Sequence, residues 1–450
     1  MNTKEKLTLA LDVNTLESAV NLVNQTKDFV GYYKVGKEIL NSVGLPVVLK
    51  ALKDLGVKVF IDVKEKDIPN TVKNAVMAAV KHGADIINIH ATGGRIMMEE
   101  TIEAVEAAKE INPDVKIIAV SILTSLDDND MREIGYLYSA ETMVWKLALL
   151  ASEAGLDGLV CSPMELNAVR QIMGDDAFII TPGIKPEWDI KQGDQKRVTT
   201  PREAIINGCS SMVVGRSITK HQTYDPSTAA HLVYDEIKEA MKEPQAEQPT
   251  LTDIFVERLL EAEVVKTGLF TLKNGTKSPI YINVRDLPLS HSAMSMAVFS
   301  MAAAIEAYGL DFDRTGGVPM GALSIANMLS FTTGKSILTL RNEAKDHGLV
   351  GTKTVESYKG GESVIVVEDV ATSGGSIKEA VEKYRYLGLN VKYAFVVVDR
   401  EQGAKEMLAD EGVELYSLVT LSEIVDALCK RDDIDEETKN AICDYMDSQD

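Results

Sequence analysis

Cysteine and histidine are scarce, with four Cys and six His in 450 residues. Cys161, Cys209, Cys429 and Cys443 form no C-x-x-C, and no histidines stand in an H-E-x-x-H or comparable ligand pair. A structural zinc site is therefore not expected, and the thiols are read as reduced. Long apolar runs are missing too. None reaches the ~20 residues of a membrane-spanning helix, and the run Leu7–Leu11, closed by Asp12, is too short for a secretory signal. The C-terminal Asp447-Ser448-Gln449-Asp450 is no peroxisomal address, and nothing suggests lipidation. Cytoplasm is the expected location. Positive charge is also in deficit: Lys plus Arg number 47 against 68 Asp plus Glu, a net charge of -21. Such a field repels nucleic acid and anionic lipid, so neither a nucleic-acid nor a membrane partner is expected. Any phosphate-bearing ligand must be held by locally placed donors.

What remains is an ordinary globular composition, 45% hydrophobic and 26% charged, in a chain long enough for two large domains. From residue 7 to about 215, short β-rich runs alternate with stretches of helical period. There are eight: Leu7 to Leu11, Tyr32 to Val35, Val57 to Val63, Asp85 to His90, Lys116 to Leu123, Gly158 to Cys161, Phe178 to Thr181 and Ser211 to Val214. Strands alternating with helices imply βαβ crossovers and a parallel sheet. Eight units in about 240 residues is the arithmetic of a (β/α)8 TIM barrel, with an open nucleotide-binding sheet as the competing reading. The polar, proline-bearing segment Glu243–Thr250 reads as a linker. A second α/β pattern follows, with apolar runs at Ile280 to Val284, Ser336 to Leu340, Val364 to Val367 and Tyr393 to Val398. The expected organisation is two unrelated α/β domains, 1–242 and 251–450.

In a parallel barrel, reactive groups gather where strands end. Asp12 ends the first run, Lys34 lies in the second, Asp62 and Lys64 end the third with Asp67 just after, and Thr124 follows the fifth. Strand alternation puts Asp62 and Lys64 on one side. Buried charges must be paired, so Lys34, Asp62, Lys64 and Asp67 are candidates for an alternating network whose lysine can donate a proton. The plainer reading is a surface salt-bridge cluster. Against it stand Thr181-Pro182-Gly183-Ile184-Lys185 and Gly215-Arg216, after the seventh and eighth runs, where this fold usually binds phosphate.

The string Asp62-Val63-Lys64-Glu65-Lys66-Asp67-Ile68-Pro69-Asn70-Thr71 resembles the D-x-K-x-x-D-I-P-N-T signature of the orotidine 5'-phosphate decarboxylase family. Leu123-Thr124-Ser125, Thr181-Pro182-Gly183-Ile184, Gly193-Asp194-Gln195 and Val214-Gly215-Arg216 match it in order and spacing. The resemblance covers residues 5 to 235 and implies decarboxylation with no metal or organic cofactor. It makes Lys64 the proton donor to pyrimidine C6 and sets Asp62 beside the departing carboxylate. Lys34 and Asp67 complete the network, Asp67 across a dimer interface. Asp12 would meet the ribose, Thr124 the pyrimidine edge, and Gln195, Gly215 and Arg216 the phosphate; Ile68, Pro69, Asn70 and Thr71 join the binding set. Lys185 stands where many relatives carry arginine, which keeps the charge but loses the fork. A rival in the superfamily is a Mg2+-dependent sugar-phosphate lyase, disfavoured by the Ile68–Thr71 and Gly193–Gln195 strings.

In the second half, the run Val364–Val367 ends in Glu368-Asp369, and Val370, Ala371, Thr372, Ser373, Gly374, Gly375 and Ser376 lead into a helical stretch. A strand, two acids and a Gly/Ser/Thr loop at a helix start make an anion cradle beside two carboxylates, suited to a phosphate and a ribose diol. This string resembles the phosphoribosyl-pyrophosphate motif of type I phosphoribosyltransferases. Leu272-Lys273-Asn274-Gly275, Arg341 to Gly348 and Asp399-Arg400-Glu401-Gln402-Gly403 resemble the orotate phosphoribosyltransferases among them. The implied reaction joins orotate to the phosphoribosyl group with loss of pyrophosphate and requires Mg2+. Lys273, Arg341, Lys345 and His347 would contact the donor, with Lys345 on the leaving charge. Tyr281, Ile282, Thr372 and Arg400 would hold orotate. Asn342 and Met320-Gly321 depart from the family pattern; they are the sole support for reading this half as a phosphoribosyl-pyrophosphate sensor or scaffold. Together the two resemblances are those of a bifunctional UMP synthase, decarboxylase first, the reverse of the animal order. The implied partners are the small molecules orotate, phosphoribosyl pyrophosphate and orotidine 5'-phosphate, in a homodimer or higher homo-oligomer.

Overall fold

The computed structural model describes residues 2–107, 111–190, 199–243, 248–271, 277–341 and 353–447. They fall into two compact units, Met1–Gly135 with Met143–Gln248, and Tyr136–Thr142 with Pro249–Asp450.

In the first unit each of the eight apolar runs holds a parallel strand: β1 (Leu7–Ala10), β2 (Tyr32–Gly36), β3 (Lys58–Glu65), β4 (Ile86–His90), β5 (Lys116–Val120), β6 (Gly158–Val160), β7 (Phe178–Thr181) and β8 (Ser211–Val214). They hydrogen-bond in chain order into a closed barrel, with β1 also paired to β8. The runs are continuous rather than alternating because both strand faces are covered; all four residues of β1 are buried. Amphipathic helices wrap the outside. Their starts are marked in the sequence: Thr15 caps Leu16–Thr26, and Asp225 with Pro226 opens Pro226–Ala240.

The barrel is plugged at the strand N-termini. Tyr32, Phe60, Ile86, Ile118, Phe178 and Ile180 form one buried cluster. Tyr32 meets Phe178 edge-on at 5.8 Å, and the ammonium groups of Lys58 and Lys116 lie over these two rings at 5.5 and 5.4 Å. Tyr32, Lys58, Lys116 and Phe178 each open their strand. Ligand access is left to the opposite, C-terminal end.

The second unit joins an antiparallel hairpin, β9 (Val265–Thr271) and β10 (Lys277–Ile282), to a parallel sheet of β11 (Arg314–Gly317), β12 (Ser336–Ile337), β13 (Ser363–Ala371), β14 (Asn390–Asp399) and β15 (Glu414–Thr420). The sheet order is β12-β11-β13-β14-β15. The chain steps outward from β11 to β12 and then returns to build β13 on the other side. The crevice at the carboxyl ends of β11 and β13 is thus the topological switch point, where open α/β sheets bind ligands. Strand β11 was invisible in the sequence because Arg314-Thr315-Gly316-Gly317 carries no apolar side chain. Its glycines are demanded by packing: a Cβ at Gly316 would overlap the hydroxyl of Tyr384, which donates to the Leu338 carbonyl. Among the described residues no helix is long and apolar enough to cross a membrane.

Candidate active sites

At the open end of the barrel, Lys34 on β2 places its Nζ 3.0 Å from Asp62 Oδ2 and 3.6 Å from Asp12 Oδ1. Lys64 Nζ lies 2.6 Å from Asp62 Oδ1. Asp62 and Lys34 are only 12% and 14% exposed, whereas Asp12 is 60% exposed. The salt-bridge core is therefore withdrawn from solvent, and the surface-cluster reading fails. Burial works to raise the Asp62 carboxyl, but Lys34 and Lys64 beside it, with hydrogen bonds from Lys64 and Asn88, hold it below the usual carboxylate range.

The local backbone is not the regular strand that alternation supposes. β3 pairs with β4 through Ile61 and Ile87 and then through Glu65 and Ile89, so β3 bulges between them. Within the bulge Lys64 has φ 56°, left-handed for a residue with a long side chain. Such a conformation costs on the order of 1–3 kcal/mol and persists only where its surroundings over-determine it. Asn88 does so. It is fully buried on β4; its Oδ1 accepts the Lys64 backbone N–H at 2.8 Å, and its Nδ2 donates to Asp62 Oδ1 at 2.7 Å. Sequence reading missed Asn88. The available signal was one amide inside the apolar run Ile86-Ile87-Asn88-Ile89, since a buried amide must find partners.

Asp67 does not join this network within one chain. It is exposed, and its Oδ1 accepts the N–H of Ile68 at 2.7 Å. Ile68 is 66% exposed, and Pro69, Asn70 and Thr71 open the helix Pro69–Lys81. Thr124 is exposed in the segment after β5. The loops after β7 and β8 do converge: a cavity of about 560 Å3 is lined by Asp12, Lys34, Lys185, Gly215, Arg216 and Lys220, among others. Four cations, with Asp12 and Asp189, stand at its wall in a chain of net charge -21, and Lys185, Gly215 and Arg216 of the expected phosphate set are among the lining residues. Sequence reading passed over Lys220 and over His221, which also lines this cavity. His90 ends β4 with its Nδ1 buried. Burial, and then the ammonium groups of Lys66 and Lys64, push its pKa down.

In the second unit the carboxylates sit at the C-terminal end of β13, on the switch-point crevice. Glu368 is buried, and its Oε1 accepts the Asp369 N–H at 3.0 Å. Asp369 Oδ1 accepts the Val370 N–H at 2.8 Å, and its Oδ2 lies 3.6 Å from Arg285 Nε. Burial, and then the neighbouring Asp369, push Glu368 up to about 8. Ala371 ends the strand; Thr372 and Ser373 are exposed; Gly374 at φ 80° leads into the helix Gly375–Tyr386, whose first turn carries Ser376. The positive φ of Gly374, and a Cβ that would come within 3.3 Å of the Ala404 backbone, favour glycine at this turn.

From the next strand end, the Arg400 backbone N–H donates to the Ala371 carbonyl at 2.9 Å, while its side-chain Nε is buried with no hydrogen-bond partner among the described residues. A buried guanidinium nitrogen in that state calls for an acceptor from water or a ligand. Tyr281 and Ile282 lie on β10, with the Tyr281 ring 5.4 Å from Phe270. Arg341 is engaged elsewhere: its Nε donates to the Thr354 carbonyl, and it borders a separate cavity with Lys353, Glu379 and Lys383. Gly321 faces the acids, since a Cβ there would overlap Asp369 Oδ2. Gln195 with Gly193-Asp194, Lys273 with its Leu272–Gly275 string, Asn342, Lys345, His347 and Gly348 lie outside the described residues.

A family model described as "Orotidine 5'-phosphate decarboxylase / HUMPS family" matches residues 5–233. An orotidine 5'-phosphate decarboxylase of Moorella thermoacetica is 43% identical over 241 residues, 53% of this chain and 94% of the relative. Among solved structures, the UMP synthase of Leishmania donovani aligns over 99% of this chain and 97% of its own at 24% identity and a TM-score of 0.40. An orotate phosphoribosyltransferase of Aeropyrum pernix aligns over 39% of this chain and 97% of its own at 36% identity and a TM-score of 0.34.

Proposed function

We propose, because the chain belongs through residues 5–233 to the orotidine 5'-phosphate decarboxylase / HUMPS family, that its barrel removes CO2 from orotidine 5'-phosphate and that its second unit makes that substrate. The observation that carries the first half is the Lys34–Asp62–Lys64 chain with Asn88 behind it. The phosphate of the nucleotide enters the cationic cavity, where Arg216 and Lys185 receive it. Binding at that remote end supplies energy that is spent at the pyrimidine. The Asp62 carboxylate, fixed in its ionised form, faces the substrate carboxylate and disfavours it before the bond breaks. The C6–carboxylate bond cleaves, CO2 leaves neutral, and the electron pair stays on C6. The Lys64 ammonium stabilises that charge and then delivers its proton to C6. The nucleotide product is UMP.

The second unit is read as an orotate phosphoribosyltransferase on the strength of its own geometry. Glu368 and Asp369 lie where a ribose diol would sit, the Thr372–Ser376 turn leads into a helix start suited to a 5'-phosphate, and the buried Arg400 Nε suits the orotate carboxylate. Orotate N1 bonds to C1' of the donor as the bond from C1' to pyrophosphate breaks, and the N1 proton leaves with the pyrophosphate. Mg2+ fits this site. The Glu368–Asp369 pair offers hard oxygen ligands and the donor's phosphates the remainder, and the bound ion would neutralise charge on the pyrophosphate. Lys345 is assigned to the leaving group, and Lys345→Ala is expected to lower transfer far more than decarboxylation. For the barrel, exposed Ile68 beside an Asp67 that stands outside the Lys34–Asp62–Lys64 chain supports a homodimer in which Asp67 completes the neighbouring site.

One incubation tests both halves: purified protein with orotate, phosphoribosyl pyrophosphate and Mg2+, with products identified by mass. UMP is expected. Accumulated orotidine 5'-phosphate would refute the barrel assignment and favour a sugar-phosphate substrate; absence of any nucleotide would refute the second.

A further inference from the structure

The last two helices share a thiol pair that neither reaction uses. Cys429 ends the helix Leu421–Cys429, Cys443 lies in the helix Glu436–Asp447, and their Sγ atoms are 3.5 Å apart. Cys161 and Cys209, by contrast, are fully buried in the barrel. The two helices form a hairpin. Asp435 accepts the Thr438 N–H and hydroxyl at the start of the second helix, and Arg431 pairs with Asp433 in the turn. The second helix is thinly anchored. It packs on its partner helix and on β10, but its only buried hydrophobic side chains among the described residues are Ile442 and Tyr445. So little buried area leaves a terminal helix at the low end of local stability. A covalent tie there would change its opening far more than a tie in the core.

We infer that Cys429 and Cys443 are a redox modification site, closing to an intramolecular disulfide by exchange with a low-molecular-weight disulfide and thereby pinning the C-terminal helix. Cys443 is the exposed member and the first to be reached. Its thiolate attacks one sulfur of oxidised glutathione and expels one glutathione thiolate. Cys429 then attacks Cys443 Sγ and expels the second. Two protein thiols lose two protons and two electrons, and one oxidised glutathione becomes two reduced. The existing sulfur contact means that bond formation needs only a small approach, and the closed loop is short, both of which favour the internal bond over a lasting mixed disulfide.

The test uses the full chain in glutathione buffers of graded redox ratio, quenched with a maleimide and digested without reduction. Trypsin separates the cysteines at Lys430, Arg431 and Lys439, so a peptide ending at Lys430 joined to Asn440–Asp450 reports the bond directly. That linked pair is expected, with Cys161 and Cys209 alkylated only after denaturation. Native cleavage at Lys439 should slow by about tenfold on oxidation, and this slowing should vanish in Cys443→Ser. Separate glutathione adducts on the two cysteines at every ratio, or chains cross-linked through Cys443, would overturn the site. A linked pair with unchanged cleavage at Lys439 would overturn the pinning.

Discussion

The two candidate sites solve opposite electrostatic problems. In the barrel site the central acid has its counter-charges built in: Asp62 sits between Lys34 and Lys64 and is driven below the usual range. In the second unit two carboxylates stand side by side, with only the mostly exposed Arg285 paired to Asp369 among the described residues, and Glu368 is driven up to about 8. A site that must stabilise a carbanion needs its charges fixed before the substrate arrives. One whose ligands bring a sugar diol, phosphates and a cation can leave its acids unbalanced until they bind. On the proposed reading, the barrel's chemistry is preorganised and the second unit's is completed by its substrates.

The largest effect that could break this contrast lies in the barrel. Lys64→Ala is expected to lower decarboxylation by at least ~10³-fold while UMP still binds, because proton donor and carbanion stabiliser vanish together. Asn88→Ala tests the preorganisation itself. It removes two buried hydrogen bonds, releasing Asp62 and the left-handed Lys64 backbone, and should cost about 10–100-fold, or roughly 1–3 kcal/mol. Single-turnover CO2 release with calorimetric UMP binding measures both. An Asn88→Ala enzyme at full rate would mean that the ion pairs hold themselves and that fixed geometry is not what distinguishes this site.

An effect of the same order as that of Asn88→Ala is expected from Gly321→Ala. The new Cβ would overlap Asp369 Oδ2, so the carboxylate must swing away from its place, which should lower phosphoribosyl transfer by about 10–100-fold. Decarboxylation of supplied orotidine 5'-phosphate should stay unchanged. Equal loss of both rates would point to misfolding; no loss of transfer would show that the position of Asp369 is not critical.

How much of this could be read in advance follows the same divide. The barrel strands were legible because both of their faces are apolar, which writes each strand as a run; the eight runs and the charged residues closing them gave both fold and network. What the network lacked was Asn88, since a lone amide in a strand announces a buried partner without saying which. Asp67, placed in the network by its charge and by the resemblance alike, lies outside it in a single chain. In the second unit β9, β11 and β15 went unread. β11 is two glycines fitted against Tyr384 and Ala326, a shape requirement that hydropathy cannot register. β9 and β15 mix polar with apolar residues because each is exposed in part. The grouping of Tyr136–Thr142 with the second unit is likewise a matter of tertiary packing, with no trace in local pattern.

The subtlest consequence is a difference in sign between the units' responses to pH. Asp62 is lower in the folded chain than in the unfolded one, so its contribution is present above the ordinary carboxylate pKa and is lost as pH falls through the folded value. Glu368 is higher in the folded chain. Between its ordinary value of 4.5 and about 8 the folded state holds a proton that the unfolded state has released, so stability of the second unit falls as pH rises across that window, by up to about 1.4 kcal/mol per pH unit, and levels off above it. Glu368→Gln keeps the shape and removes the titration. Thermal unfolding of the second unit should therefore show a downward slope between about pH 5 and 8 in the parent. The Glu368→Gln variant should flatten that slope, gaining Tm at the alkaline end and losing phosphoribosyl transfer. A parent whose second unit grows more stable over this range would mean that Glu368 is ionised in the folded chain, and the contrast between a self-balanced site and one that waits for its ligands would fall with it.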